Sequence, residues 1–127
     1  MIDHLGISVR NHAQSKAFYL AALAPLGIGV VMAVSKEQSG APSDYTGLGS
    51  NGKPYFWIGE GTVGSGMHLA FVAQTRQQVD EFYRAAIDGG AKDNGPPGIR
   101  AHYHPNYYGA FVIDVNGVNL EAVCHTG

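Results

Sequence analysis

Shifted by 64 residues, the sequence lies on itself. His4-Leu5 falls on His68-Leu69, Gln14 on Gln78, Phe18-Tyr19 on Phe82-Tyr83 and Ala21-Ala22 on Ala85-Ala86, with no gap. Self-similarity at a fixed offset is the mark of a duplicated supersecondary unit. Coincidence is a poor source of two Phe-Tyr pairs and two Ala-Ala pairs at equal spacing, each behind a His-Leu pair. The chain is therefore expected to fold as two similar modules packed as a pseudo-symmetric pair.

Each copy opens with strand periodicity. Leu5, Ile7 and Val9 alternate with His4, Gly6 and Ser8, the period of two of a half-buried strand. Asn11 then suits the N-cap of a helix over about 12–24, with Phe18, Ala21, Ala22 and Leu26 on its buried face. Pro25 and Gly27 stop it. In the second copy Met67, Leu69 and Phe71 face the helix, Thr75 caps, and Val79, Phe82, Ala86 and Ile87 form the buried stripe before Gly89-Gly90. Strands follow each helix. Residues 29–34 are strongly β-like. Residues 44–50 and 54–59 read as a hairpin turning at Asn51-Gly52, and 107–114 and 118–124 as another turning at Asn116-Gly117. A short strand is expected within the Gly- and Pro-rich stretch 94–106. Each module is thus β-α-β-β-β. Module one covers about 1–60, module two about 66–125, and the Gly-rich run 60–66 joins them. The predicted class is α+β: one domain over 1–127, made of two tandem βαβββ modules that form a pseudo-symmetric curved mixed sheet with helices on the outside.

Composition narrows the function classes. With 127 residues, 45% apolar and 14% charged, the chain can bury a real core. A formal net charge of −2 and no basic stripe give nucleic acid and acidic membranes nothing to bind. No apolar run approaches the roughly 20 residues that span a bilayer, and no leader pattern opens the chain. Cys124 is the only cysteine, so no intrachain disulfide forms. A cytoplasmic setting is expected.

The repeated histidines carry the chemistry. His4 and His68 hold the same position on the first strand of their modules, on the face turned away from the helix. For either alone, a local hydrogen bond at a strand start is the plainer reading. The duplication changes this, because a pseudo-two-fold axis turns the two faces toward one another. On the last strand Val118, Leu120, Ala122 and Cys124 form the helix-facing side and Asn119, Glu121 and Val123 the other. Glu121 is then a carboxylate in a β-like run, aimed where the histidines point. Burying it unpaired is costly, and a divalent cation removes that cost. Two imidazoles and a carboxylate leave open positions on the ion, the set used by non-haem Fe(II) oxygenases and suited also to Mn(II), Ni(II) or Zn(II).

With its duplicated His-Leu strand starts, Phe-Tyr helices and closing run from Asp114 to Glu121 (D-x-N-G-x-N-L-E), the sequence resembles the vicinal oxygen chelate superfamily over essentially its whole length. That group holds glyoxalase I, extradiol dioxygenases, fosfomycin-resistance thiol transferases and bleomycin-resistance proteins. The resemblance implies metal ligands at His4, His68 and Glu121. It also implies an optional fourth ligand at residue 57, where Trp57 stands and cannot ligate, while Glu60 lies three residues on. A three-ligand arrangement therefore fits better than that of glyoxalase I. The extradiol pattern maps onto His104, Phe111, Asp114, Gly117 and Glu121, with Phe111 where a tyrosine is expected and Val115 where a proline is expected. Glu121 and His104 are the candidate catalytic groups, His104 as acid or base; Tyr107 or Tyr108 is a candidate replacement for the lost phenol. The resemblance also implies a homodimer, in which His4 comes either from the same chain as His68 and Glu121 or from its partner.

Other residues have two readings each. Arg100 suits a substrate carboxylate or a plain surface charge, and with His102 and His104 it alternates along one predicted face. Arg100 and Lys53 are too few cations for a phosphonate site. Tyr55 and Trp57 share a predicted face and suit either a substrate wall or the core. His12 is expected solvated at a helix start, His125 at a frayed end, and Cys124 as a small buried hydrophobe. The leading expectation is a metal-dependent enzyme of the glyoxalase or dioxygenase type, acting on a small molecule that chelates the metal through two neighbouring oxygens. The alternative is a non-catalytic binding or resistance protein of the bleomycin-resistance type.

Overall fold

Asn11 starts the first helix: its side chain accepts the Gln14 backbone N–H at 2.9 Å, which satisfies one orphan donor of the first turn. The computed structural model describes residues 1–127. Helix α1 runs His12–Leu23 and passes into a 3-10 turn at Ala24–Leu26, ended by Gly27 at φ 78°. Its buried stripe is Ser15, Phe18, Tyr19, Ala22 and Leu23, the i, i+3, i+4, i+7, i+8 spacing of one face. Ala21 is exposed, contrary to expectation, because Tyr19 and Leu23 draw the stripe to the other flank of Phe18 and Ala22. The second long helix, α3, spans Arg76–Asp88 after a short α2 at Lys36–Ser39. Thr75 and Gln78 close a capping box at its start, and Val79, Phe82 and Ala86 are buried. Ile87 is half-buried.

The strands are β1 Leu5–Val9, β2 Gly29–Val34, β3 Tyr45–Ser50, β4 Lys53–Glu60, β5 His68–Val72, β6 Lys92–Asp93, β7 Gly98–Ile99, β8 Tyr108–Ile113 and β9 Asn119–Cys124. They form two mixed sheets. Sheet one has the order β1-β4-β3-β2; sheet two runs β5-β9-β8-β6, with β7 also on β8. In each sheet the first strand pairs parallel with the last strand of its module, Leu5 opposite Phe56 and His68 opposite Asn119. The α+β class and the paired modules read from the repeat are therefore present, and the second-module strand expected within 94–106 is the two-residue β7. No helix is long and apolar enough to cross a membrane.

Both modules feed one core of 21 buried residues. Phe56 of sheet one meets Tyr19 at 5.0 Å and Phe71 of sheet two at 5.4 Å, both edge-on. Polar groups staple the seam. The Tyr19 hydroxyl donates to Asp114, whose other oxygen accepts the backbone N–H groups of Asn116 and Val118 at 2.9 and 2.8 Å. Asn116 donates to Ser15 and accepts the Arg10 backbone N–H. These buried groups are all paired, as burial demands. Because the helices pack at the seam, each sheet keeps its other face free, and the chemistry lies there.

Candidate metal-binding site

Strand alternation puts Glu121 of β9 beside Phe111 of β8, directly cross-strand, on the face of sheet two away from α3. His68, at the start of β5, lies next to β9 in the same sheet. Its ring stacks on Phe111 at 6.2 Å and 20°. Its Nε2 stands 3.2 Å from Glu121 Oε1, while its Nδ1 is 3.1 Å from the Asn119 carbonyl oxygen. A carbonyl only accepts, so Nδ1 carries a proton. Nε2 then aims a lone pair at a carboxylate oxygen, unless a second proton or a cation lies between them. This orientation, with the far nitrogen pinned to a backbone carbonyl, is the one metal-ligating histidines adopt.

Glu121 is 2% exposed. Its other oxygen, Oε2, accepts the Tyr107 hydroxyl. Burial raises the Tyr107 phenol above its usual range, and the hydrogen bond and negative charge of Glu121 add to the effect. Around this pair opens a cleft of about 480 Å³ lined by His68, Phe111 and Glu121 on the sheet and by His102, Tyr103, His104 and Tyr107 on the preceding loop, with His125 behind.

The loop histidines are ordered by hydrogen bonds. The Asn106 N–H donates to His104 Nδ1 at 3.0 Å, so the proton of neutral His104 sits on Nε2. It faces His125 Nδ1 at 2.7 Å, and the rings stack at 5.0 Å. His125 is therefore fixed by His104 and is not a frayed end. His12 also departs from the solvated reading: its ring contacts Thr46 Oγ1 at 2.8 Å and its backbone N–H donates to Glu60. Glu60 is held at the start of α1.

His4 stands apart from the other two proposed ligands. It precedes β1 on sheet one, and its Nδ1 pairs with Asp3 at 2.7 Å, which also takes Lys53 at 2.7 Å. The Lys53 hydrogen bond, then that of His4, hold the exposed Asp3 carboxyl below its ordinary range. Within one chain no three His, Cys, Asp or Glu side chains are grouped to hold a metal. The chain thus brings His68 and Glu121 together and leaves His4 on the other sheet.

The remaining candidates separate. Trp57 is half-buried on the open side of sheet one, against Gly47, where an added Cβ would come within 2.9 Å of the indole. Tyr55 does not share that face. Leu48 pairs with Phe56 and Gly49 with Pro54, so Tyr55 is the extra residue of a bulge. It packs on the core and lines a separate apolar cavity with Leu5, Leu26 and Phe71. Arg100 spends its guanidinium on the Gly98 and Pro96 carbonyls at 2.9 and 2.8 Å and lies over Phe111. Residues 101–103 form a turn, so Arg100, His102 and His104 do not alternate along a strand. Tyr108 points the other way from Tyr107: its hydroxyl donates to Asp80 of α3 at 2.6 Å and its ring lies under Arg76. Tyr107 was legible only as one of two candidates. The signal that selects it is alternation, since residues 107, 109 and 111 share the face that Glu121 occupies. Cys124 is buried, as expected of a small hydrophobe.

No protein-family model and no curated protein matches the sequence. Solved structures do. A glyoxalase/bleomycin resistance protein from Albidiferax ferrireducens T118 superposes with a TM-score of 0.75 at 28% identity, covering 96% of both chains. A putative glyoxalase from Bacillus halodurans gives 0.67 at 24% identity over 98% of this chain and 95% of its own. A mutant of the fosfomycin resistance protein FosX from Listeria monocytogenes, complexed with Mn(II) and a dihydroxypropylphosphonic acid, gives 0.67 at 17% identity over 97% and 88%. The duplicated modules, the two mixed sheets and these neighbours give the chain the fold of the glyoxalase, bleomycin resistance and dioxygenase proteins, consistent with the vicinal oxygen chelate superfamily.

Proposed function

We propose that this protein is a metal-dependent enzyme of the glyoxalase or dioxygenase type. In this reading His68 and Glu121 of one chain and His4 of a second copy hold a divalent ion in a homodimer. The observation that carries the proposal is the 3.2 Å approach of His68 Nε2 to Glu121 Oε1 while the His68 Nδ1–H is committed to a backbone carbonyl. At that distance a positive centre lies between nitrogen and oxygen, either a bound cation or a second ring proton, and the proposal takes the cation. The donor set, imidazole nitrogen and carboxylate oxygen, fits iron, manganese, nickel or zinc. When bound, such an ion is a Lewis acid for two neighbouring oxygens of a small substrate and stabilises negative charge that develops on them.

The chain's own groups do the rest. Glu121 anchors one side of the cleft. Tyr107 brings a phenol to the carboxylate, so the hydroxyl missing at Phe111 is supplied from a neighbouring position on the same face. His104 holds a proton on Nε2 and shares it with His125, which suits a pair that takes up or releases a proton at the cleft rim. The lone buried Cys124 fits a cytoplasmic setting.

A second reading is a small-molecule binding protein of the bleomycin-resistance type. It is favoured by the absence of three grouped ligands in one chain, and in it His68 is an imidazolium paired with Glu121. Elemental analysis separates the two. Wild type, loaded anaerobically with Fe(II), Mn(II), Ni(II) or Zn(II), is expected to retain about one ion per chain, and His4→Ala and His68→Ala none. In a refolded mixture of the two variants, each heterodimer regains one intact site and metal returns. No metal in wild type moves the function to the binding protein; metal in wild type without recovery in the mixture places the site within one chain.

A further inference from the structure

We propose that Tyr107 is a positioning residue for Glu121: it takes Oε2 and leaves only Oε1 turned toward His68 and any cation bound there. The inference rests on the metal reading above and goes beyond it, since no ligand set names Tyr107.

Four observations carry it. Tyr107 immediately precedes β8, so its side chain rises on the face of Phe111 and Glu121. Between Tyr107 and Phe111 on that face stands Gly109, and the missing side chain is what lets the phenol fold back. A Cβ at Gly109 would lie 3.2 Å from Tyr107 Cε1 and 3.3 Å from Glu121 Oε2, inside ordinary contact distance. The Tyr107 ring is packed edge-on by Tyr103 at 4.8 Å, His125 at 5.3 Å and His104 at 5.5 Å, which restricts its rotation. Lastly, the two oxygens of this nearly fully buried carboxylate have different partners, Tyr107 on Oε2 and His68 on Oε1. A carboxylate so tied acts as a one-oxygen ligand. Freed of the phenol, it can swing to offer both oxygens and fill a coordination position that substrate would otherwise use.

Cobalt(II) reports this directly, because its visible absorption weakens as coordination number rises. Wild type, Tyr107→Phe, Gly109→Ala and Tyr83→Phe are loaded with Co(II), and affinity and spectrum are recorded. Tyr107→Phe is expected to bind Co(II) about tenfold more weakly, the lower end of the usual effect of removing an outer partner of a metal ligand, with weaker visible bands. Gly109→Ala keeps the phenol but pushes it off the carboxylate; it is expected to shift the spectrum the same way, and it carries the test if Tyr107→Phe does not fold. Tyr83→Phe, which loses a phenol hydroxyl bonded to Asp93 outside the cleft, is expected to match wild type. Full cobalt with an unchanged spectrum in both Tyr107→Phe and Gly109→Ala overturns the inference and leaves the metal reading standing. No cobalt in wild type overturns the metal reading and this inference with it.

Discussion

Tyr19 shows how one buried hydroxyl can tie two modules together. Burial, helped by the adjacent Asp114 charge and the hydrogen bond to it, drives the Tyr19 phenol far above its ordinary range. The folded state therefore holds this proton more tightly than the unfolded chain, whose tyrosines ionise near about pH 10. A group with a raised folded pKa contributes its full stability below the unfolded value and loses it as pH climbs beyond. Urea denaturation is expected to show stability falling above about pH 10, with a shallower fall in Tyr19→Phe. At neutral pH Tyr19→Phe removes a partner from a buried carboxylate and is expected to cost about 1–3 kcal/mol. An equal alkaline slope in both proteins would show that other tyrosines set it. At this scale the sequence was informative for groups on regular strands: alternation placed Glu121 and Cys124 correctly. Alternation along β8 also separates Tyr107 from Tyr108, which points to Asp80; it is silent on His125, whose place depends on the ring of His104.

Among the elements, the β3–β4 hairpin is the most sharply constrained. Asn51 and Gly52 both have positive φ, 53° and 75°, the geometry of a tight turn matched to strand twist. Just before it, a Cβ on Gly49 would fall 1.8 Å from the Lys53 carbonyl oxygen, and that backbone atom cannot move without breaking the pairing. Gly49→Ala is expected to cost more than about 2 kcal/mol, whereas Gly64→Ala, with nothing within 4 Å of an added Cβ, should stay within roughly 0.5 kcal/mol. Thermal melts of the two variants check this; equal midpoints would contradict the close approach. The bulge next to Gly49 is also why Tyr55 left the face that simple alternation assigned to it. One unpaired residue inverts the count for the side chains beyond it, and sequence periodicity cannot register that. Helix caps, by contrast, are local hydrogen bonds, and Asn11 and Thr75 were readable from side-chain chemistry alone.

For the whole molecule, the helices lie at the seam and the two sheets keep their outer faces free, with His4 on one and His68 and Glu121 on the other. If the metal site spans two copies, added Zn(II) should raise the melting temperature through mass action, by an amount that also depends on protein concentration. In His68→Ala that dependence on metal should vanish. A metal-induced rise independent of protein concentration would argue for a site closed within a single chain.

The sequence by itself determined the repeat and hence two modules, the order of the longer strands and of the two long helices though not the short α2 and β6, both caps, the hairpin turns and the buried carboxylate opposite the helix. These follow from local chemistry and from periodicities of two and 3.6, which neighbouring residues decide among themselves. Only the tertiary structure decided that His4 stands apart from His68 and Glu121, that Arg100 is spent on its own loop, that His104 is paired with His125, and that Tyr107 reaches across Gly109 to Glu121. Each of these depends on how residues distant in sequence come together, or on a loop whose path no periodicity records.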